Sequence, residues 1–412
     1  MIVKRAECSV RPGTVRLRTL LVALSSFVVL CGVLLSSTPA LAYPWMIRHE
    51  YTACASCHVD PSGAGLMTPY GRAQSEVLLR TRYGASPEEE STLGAFAFGA
   101  VPLPEGLLLQ ADVRLLTLRT KPPSPAPAIQ RTILMQADAA AGLVLDRFRA
   151  SASLGYVHEG ALPASVTHGE NDRLVSRQHW AGVALGEDDA ILLRAGRMNL
   201  PYGLRIVEHT MWVRSVTRTD INAAQQHGVS VAFTKDAVRA EAMAIVGNMQ
   251  ISPSVVRDRG YAATVELAPL TTVALGASSS VTHASFDLET RRPTFRHAHG
   301  VFGRFAPWKP LVLMAEADLL ARSPERERAT LGYVTMLTAD VEPIQGLHLG
   351  GTLELLERQF TREATSVGGW LTAAWFFLPH VDLRVDGIVR EVPTPAGRAQ
   401  VTSVLAQIHA FL

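Results

Sequence analysis

Cys54, Cys57 and His58, within the run Ala53-Cys54-Ala55-Ser56-Cys57-His58, are the residues whose types and spacing could do chemistry. Together they make the C-x-x-C-H pattern of covalent c-type haem attachment: the two thiols form thioethers and the next side chain reaches the iron. A dithiol redox pair or half of a zinc site would also use C-x-x-C, but the adjoining His58 and the lack of a second Cys pair argue against both. His58 is the expected proximal ligand. For the distal position Met67, in a Gly-rich loop, offers a thioether that would raise the potential. His49 offers an imidazole that would lower it, and Met46 is a third candidate. Arg48 and Arg72 are candidates for pairing with the haem propionates.

The other two cysteines, Cys8 and Cys31, fall in a leader. Residues 1–42 carry a basic stretch (Lys4, Arg5, Arg11, Arg16, Arg18), an apolar core from Leu20 to Leu35 and a small-x-small site, Ala40-Leu41-Ala42. Cleavage after Ala42 is expected, and it takes the formal net charge from +2 to −2 by removing five basic residues and Glu7. The mature chain then has no basic excess and no nucleic-acid signature. Residues 43–92 read as a small haem module with a short helix near 72–82. So few residues make a poor core, so the module needs the haem and a wall to lean on.

That wall is residues 93–412, where helical periodicity is absent and apolar residues alternate with polar ones. In Leu107 to Thr117 the odd positions are mostly apolar, with Gln110, Asp112 and Arg114 between them; Asp138, Asp382, Arg384 and Asp386 occupy the polar face of other strands. Sixteen strands are predicted, near 107–118, 131–144, 147–158, 174–185, 190–198, 226–234, 238–247, 259–267, 273–280, 296–305, 311–320, 329–339, 347–357, 366–377, 381–391 and 401–412. Connections alternate between short, such as Lys235-Asp236 and Pro379-His380, and long and polar, such as Asn199 to Gln225. This is the asymmetry of outer-membrane barrels, with short periplasmic turns and long external loops. A soluble sandwich also alternates and is the competing fold. Val404, Ala406, Ile408, Ala410 and Leu412 give the closing strand one apolar face, and Trp308, Trp370 and Trp375 are candidates for an aromatic girdle.

The segment Gly196 to Arg205 opens the longest loop, which a barrel could fold inward. Glu208, His209 and Asp220 in that loop are candidate metal ligands, weighed against a solvated loop. Lumenal Asp112, Arg114, Asp138, Asp382, Arg384 and Asp386 are expected to face pore water. No catalytic triad, phosphate-binding loop or paired catalytic carboxylate is present in the pattern.

The leader, the single C-x-x-C-H, the tail Leu66-x-x-x-Tyr70-Gly71-Arg72 and the predicted barrel together resemble the fused monohaem cytochrome-porins of the bacterial outer membrane, the family that includes the iron oxidases of iron-oxidising bacteria. The resemblance implies an all-β fold, a transmembrane antiparallel barrel of about sixteen strands whose lumen is plugged by the haem module. It implies one haem c, electron exchange between an extracellular donor or acceptor and a soluble periplasmic cytochrome, and Fe(II) as the best-known donor, hence an Fe(II):cytochrome c oxidoreductase activity. A hydrocarbon layer of about 25–30 Å is wide for one electron hop, so the haem is expected inside the barrel. The alternative from another class is a solute-specific or diffusion porin with a haem-bearing plug or sensor.

Overall fold

The computed structural model describes residues 44–63, 65–84, 96–123, 125–156, 174–360, 364–395 and 397–412. The proposed leader and the whole of the 159–173 loop lie outside them. Seventeen strand segments form one antiparallel sheet, β1 (Leu107–Lys121) to β17 (Gly397–Phe411), and β1 pairs with both β2 (Ile129–Leu145) and β17, so the sheet closes on itself. The short β4 (Leu174–Val175) and β5 (His179–Leu185) both pair with β3 (Phe148–Tyr156) and are two halves of one stave. The barrel therefore has sixteen staves, each overlapping one predicted strand. Among the described residues no helix is long and apolar enough to cross a membrane.

Side-chain parity shows why these segments are strands. Along β12 (Leu311–Pro324), Leu313 and Leu319 are exposed outward while Met314, Glu316 and Asp318 are buried inward. Successive side chains point to opposite faces, so this alternation presents an apolar exterior and a polar interior at every stave. Parity also corrects one expectation. Trp308 and Trp375 face outward, at 61% and 39% exposure, but Trp370 lies an odd number of residues from Trp375 and faces inward at 4%. It donates from Nε1 to Glu354 at 2.6 Å and belongs to the interior, not to a girdle.

Two segments fill that interior. Residues 199–225, between β6 (Ile191–Met198) and β7 (Gln226–Lys235), fold inward. Met211, Trp212 and Val213 are buried in one apolar cluster with Met314, Met336 and Trp370 of the wall. Residues 44–63 and 65–84 contact inward-facing wall residues toward the end that carries the short turns. Arg48 pairs with Asp340, Leu66 packs with Leu108 and Trp180, and the N–H of Thr81 donates to the Phe376 carbonyl at 2.9 Å. The predicted helix starts earlier than expected, as an α-helix over Pro69–Gln74 that runs into a π-turn over Ser75–Leu79. Thr68 caps it through Oγ1, which accepts from the N–H of Gly71 at 3.0 Å, and Pro69 supplies the preset φ of a first helical residue.

Several of the lumenal charges are paired with other side chains. Asp138 accepts from Arg177 at 2.5 Å, Asp382 stands 2.8 Å from His409, and Arg384 bridges Asp386 and Glu208 at 2.8 and 2.6 Å. Arg114, Asp382, Arg384 and His409 also line an open lumenal space, so pairing and access to that space occur together.

Candidate functional site: the Cys54 to Met67 turn

The Cys54 carbonyl accepts from the N–H groups of both Cys57, at 3.1 Å, and His58, at 3.0 Å, which curls the motif into one tight turn. The chain then reverses through Gly63 and Gly65, both with positive φ, and returns beside itself. Val59 N–H donates to the Leu66 carbonyl at 3.0 Å, and His58 and Met67 are bridge partners. The following helix lies against the turn: a Cβ at Gly71 would collide with the Cys57 carbonyl, so that position accepts only hydrogen.

His58 Nδ1 faces the Gly65 carbonyl at 3.4 Å, and Nε2 has no partner among the described residues. A carbonyl on Nδ1 sets the tautomer that leaves the Nε2 lone pair for a metal. Desolvation holds the imidazole below its ordinary pKa, against the pull of Gly65, Asp60 and Asp112, and keeps it in the neutral ligating form. Neither thiol is in a disulfide. Burial pushes both thiols up, Cys57 to about 11, and Cys54 rises even with Arg304, Arg205 and Arg239 pulling the other way. Thiols so protonated are poor redox nucleophiles, which disfavours a dithiol exchange site. The donor set, two thiols and an oriented imidazole on one turn, fits a c-type haem.

Not every predicted site residue falls in place. Met67 is directly opposite His58, and such pairs keep their Cβ atoms about 5 Å apart on one face. Its N–H donates to Gln110 Oε1 at 3.0 Å, which holds it at the wall next to the His58 turn. His49 is held at β13 (Thr330–Ile344), 3.3 Å from Glu342, whereas the His58 turn lies against β1. Met46 is buried at 3%. Arg48 is occupied by Asp340, and Arg72 donates to the Leu109 carbonyl and lies 5.7 Å from the Phe96 ring centre. Arg48 is a structural tie in this arrangement, while Arg72 keeps a buried Nη1 without a hydrogen-bond partner among the described residues. Glu208 is paired with Arg384, and Asp220 accepts from the backbone of Asn222 and Ala223 at 2.9 Å each. No three His, Cys, Asp or Glu residues among those described converge as a metal site, so the Glu208, His209 and Asp220 expectation is not met.

Sequence reading missed a partly open pocket beside Cys54, lined among others by Arg205, Arg239, Glu241, Glu266 and Arg304. The parity of β8 (Val238–Gly247) and β11 (Thr294–Trp308) could have revealed it, since Arg239 and Arg304 occupy inward positions near the short-turn end.

No family model and no curated protein matches the chain. Solved structures do. A loop-deletion form of OmpT, an outer membrane protein of Vibrio cholerae, aligns with a TM-score of 0.55 at 9% identity, over 75% of this chain and 100% of its own. The anion-selective porin of Comamonas acidovorans gives 0.54 at 10%, covering 74% and 99%, and Salmonella typhi OmpF gives 0.54 at 12%, covering 74% and 98%. The fold is that of the outer-membrane porins. At such identities the likeness speaks for the fold alone.

Proposed function

We propose that this protein is an electron conduit of the Gram-negative outer membrane, related to the cytochrome-porins, in which one c-type haem tethered by Cys54 and Cys57 and ligated by His58 is held within the barrel. It passes electrons between an extracellular donor or acceptor, Fe(II) among the donors, and a soluble periplasmic cytochrome. The observation that carries the reading is the C-x-x-C-H turn lying against the inner wall, with His58 oriented by the Gly65 carbonyl. A haem there supplies one-electron chemistry at a potential set by its axial ligands and burial. The chain's own part is to fix the imidazole, to tether the ring and to bring the turn part-way through the insulating layer. Asp60 at the turn is anchored to Arg194 at 3.0 Å, four residues into β6. The infolded 199–225 loop narrows the remaining lumen.

The test uses the full-length protein in liposomes that enclose a soluble cytochrome c. Wild type is expected to show a haem spectrum and to reduce the enclosed cytochrome when Fe(II) or another impermeant reductant is added outside; Cys54→Ser/Cys57→Ser is expected to do neither. Haem-loaded protein that transfers no electrons in either direction would end the conduit reading. The porin likeness favours a second one, a solute channel with a haem-bearing plug, and a lumenal cavity of about 940 Å³ lined by Trp45, Arg205, Glu208, Met314 and Arg384 gives it room. Large, stable conductance in planar bilayers, unaffected by the Cys substitutions, would support that channel.

A further inference from the structure

We propose that Arg239 and Arg304, assisted by Arg205, form the carboxylate clamp that holds the haem propionates, an assignment that rests on the haem reading above. All three guanidiniums line the pocket beside Cys54. Arg304 is buried at 4% exposure on β11 and Arg239 stands near the start of β8. Thr52, two residues before Cys54, ties both to the turn: its carbonyl accepts from Arg304 Nη2 at 2.8 Å and its hydroxyl from Arg239 Nη2 at 2.6 Å. Arg205 approaches from the infolded loop and donates through Nε to the Ser62 carbonyl at 2.8 Å. Three separate elements thus bring cationic groups to one side of one cysteine.

The charges do not cancel within the protein. Glu266 engages Arg304 Nη2 with both oxygens, at 2.6 and 2.7 Å, and is 4.0 Å from Arg239. Adjoining Arg194 takes Asp60 at 3.0 Å and Glu241 at 2.5 Å. Four guanidiniums therefore face three carboxylates. Donors are also left over: Arg239 Nε and Arg304 Nε are buried and have no hydrogen-bond partner among the described residues. An unsatisfied buried donor costs about 1–3 kcal/mol, and more when charged. Surplus cation and unspent N–H groups in one pocket fit an anionic, planar, oxygen-bearing ligand, which guanidinium forks recognise best. The propionates of a ring tethered at Cys54 have that chemistry. Arg48 is spent on Asp340 and Glu342; Arg72 also keeps a buried Nη1 without a hydrogen-bond partner among the described residues, but it does not line this pocket.

The experiment compares full-length wild type with Arg239→Gln, Arg304→Gln, the double variant and Arg398→Gln, the last a surface control paired with exposed Glu391. Heat-modifiable gel mobility selects folded barrels, and haem content, midpoint potential and the propionate bending bands in resonance Raman are then read. Loss of a cation beside a propionate favours the ferric state, so the clamp predicts a negative potential shift in each single variant, a larger one in the double variant, altered propionate bands, and no change in the control. Arg304→Lys, which keeps the charge but not the fork, is expected to restore the potential more than the Raman bands. Folded, haem-loaded Gln variants with wild-type potential and bands would overturn the clamp while leaving the haem reading intact. A wild-type protein that carries no haem would overturn the haem reading and this assignment with it.

Discussion

The two fillings of the lumen differ in how they are held. The 199–225 loop is a continuation of the wall and joins a large apolar cluster, Met211, Trp212 and Val213 against Met314, Met336 and Trp370, to buried polar ties, Arg214 with Glu316, Glu208 with Arg384 and Tyr202 with Asp318. Residues 44–84 instead precede the first stave and are tied mainly through polar groups. Arg48 pairs with Asp340, Asp60 with Arg194, Thr52 with Arg239 and Arg304, and Met67 N–H with Gln110, while Ile47 and Leu66 are the chief apolar pegs. Apolar packing is tolerant of salt and gives up little at once. Buried charge pairs are specific in register but fail abruptly when one member is lost, because the other is left in low dielectric.

That contrast can be broken or sharpened experimentally. Cys54→Ser/Cys57→Ser is expected to have the largest effect, total loss of covalent haem, while the barrel and its infolded loop keep wild-type heat-modifiable mobility; loss of the barrel as well would show that the two fillings are not separable. Asp60→Ala strips Arg194 of one of its two carboxylates and is expected to cost the seating of the 44–84 segment about 3–5 kcal/mol. Limited proteolysis of that segment should accelerate while residues 199–225 stay protected. Met336→Ala should show the reverse preference, with about 2–5 kcal/mol lost from the loop cluster, read as cleavage within 199–225 and raised bilayer conductance. Thr68→Ala removes only the helix cap and is expected to cost about 1 kcal/mol, visible as a small drop in the urea midpoint of haem release.

The wall was legible in the sequence because lipid enforces a two-residue period, and a stave such as β12 cannot shift by one residue without turning Glu316 and Asp318 toward hydrocarbon. The same rule, applied to Trp370, would have moved it inside. Partners across the lumen were not legible. Arg48 meets Asp340 across hundreds of positions of chain, so its basic character suggested a propionate when its actual mate was a wall carboxylate. Spacing made Met67 a plausible axial ligand, and the reversal through Gly63 and Gly65 brings it alongside His58. Arg239 and Arg304 went unnoticed because nothing local distinguishes an inward arginine that faces a partner from one that faces water.

The absence of any side chain at Gly71 makes the motif turn and the Pro69–Gln74 helix a single lever, with no slack between them. The neighbouring Tyr70 and, further along, Val77 are exposed at 48% and 40%. Any shift of that helix toward the turn is therefore met at once by the Cys57 carbonyl.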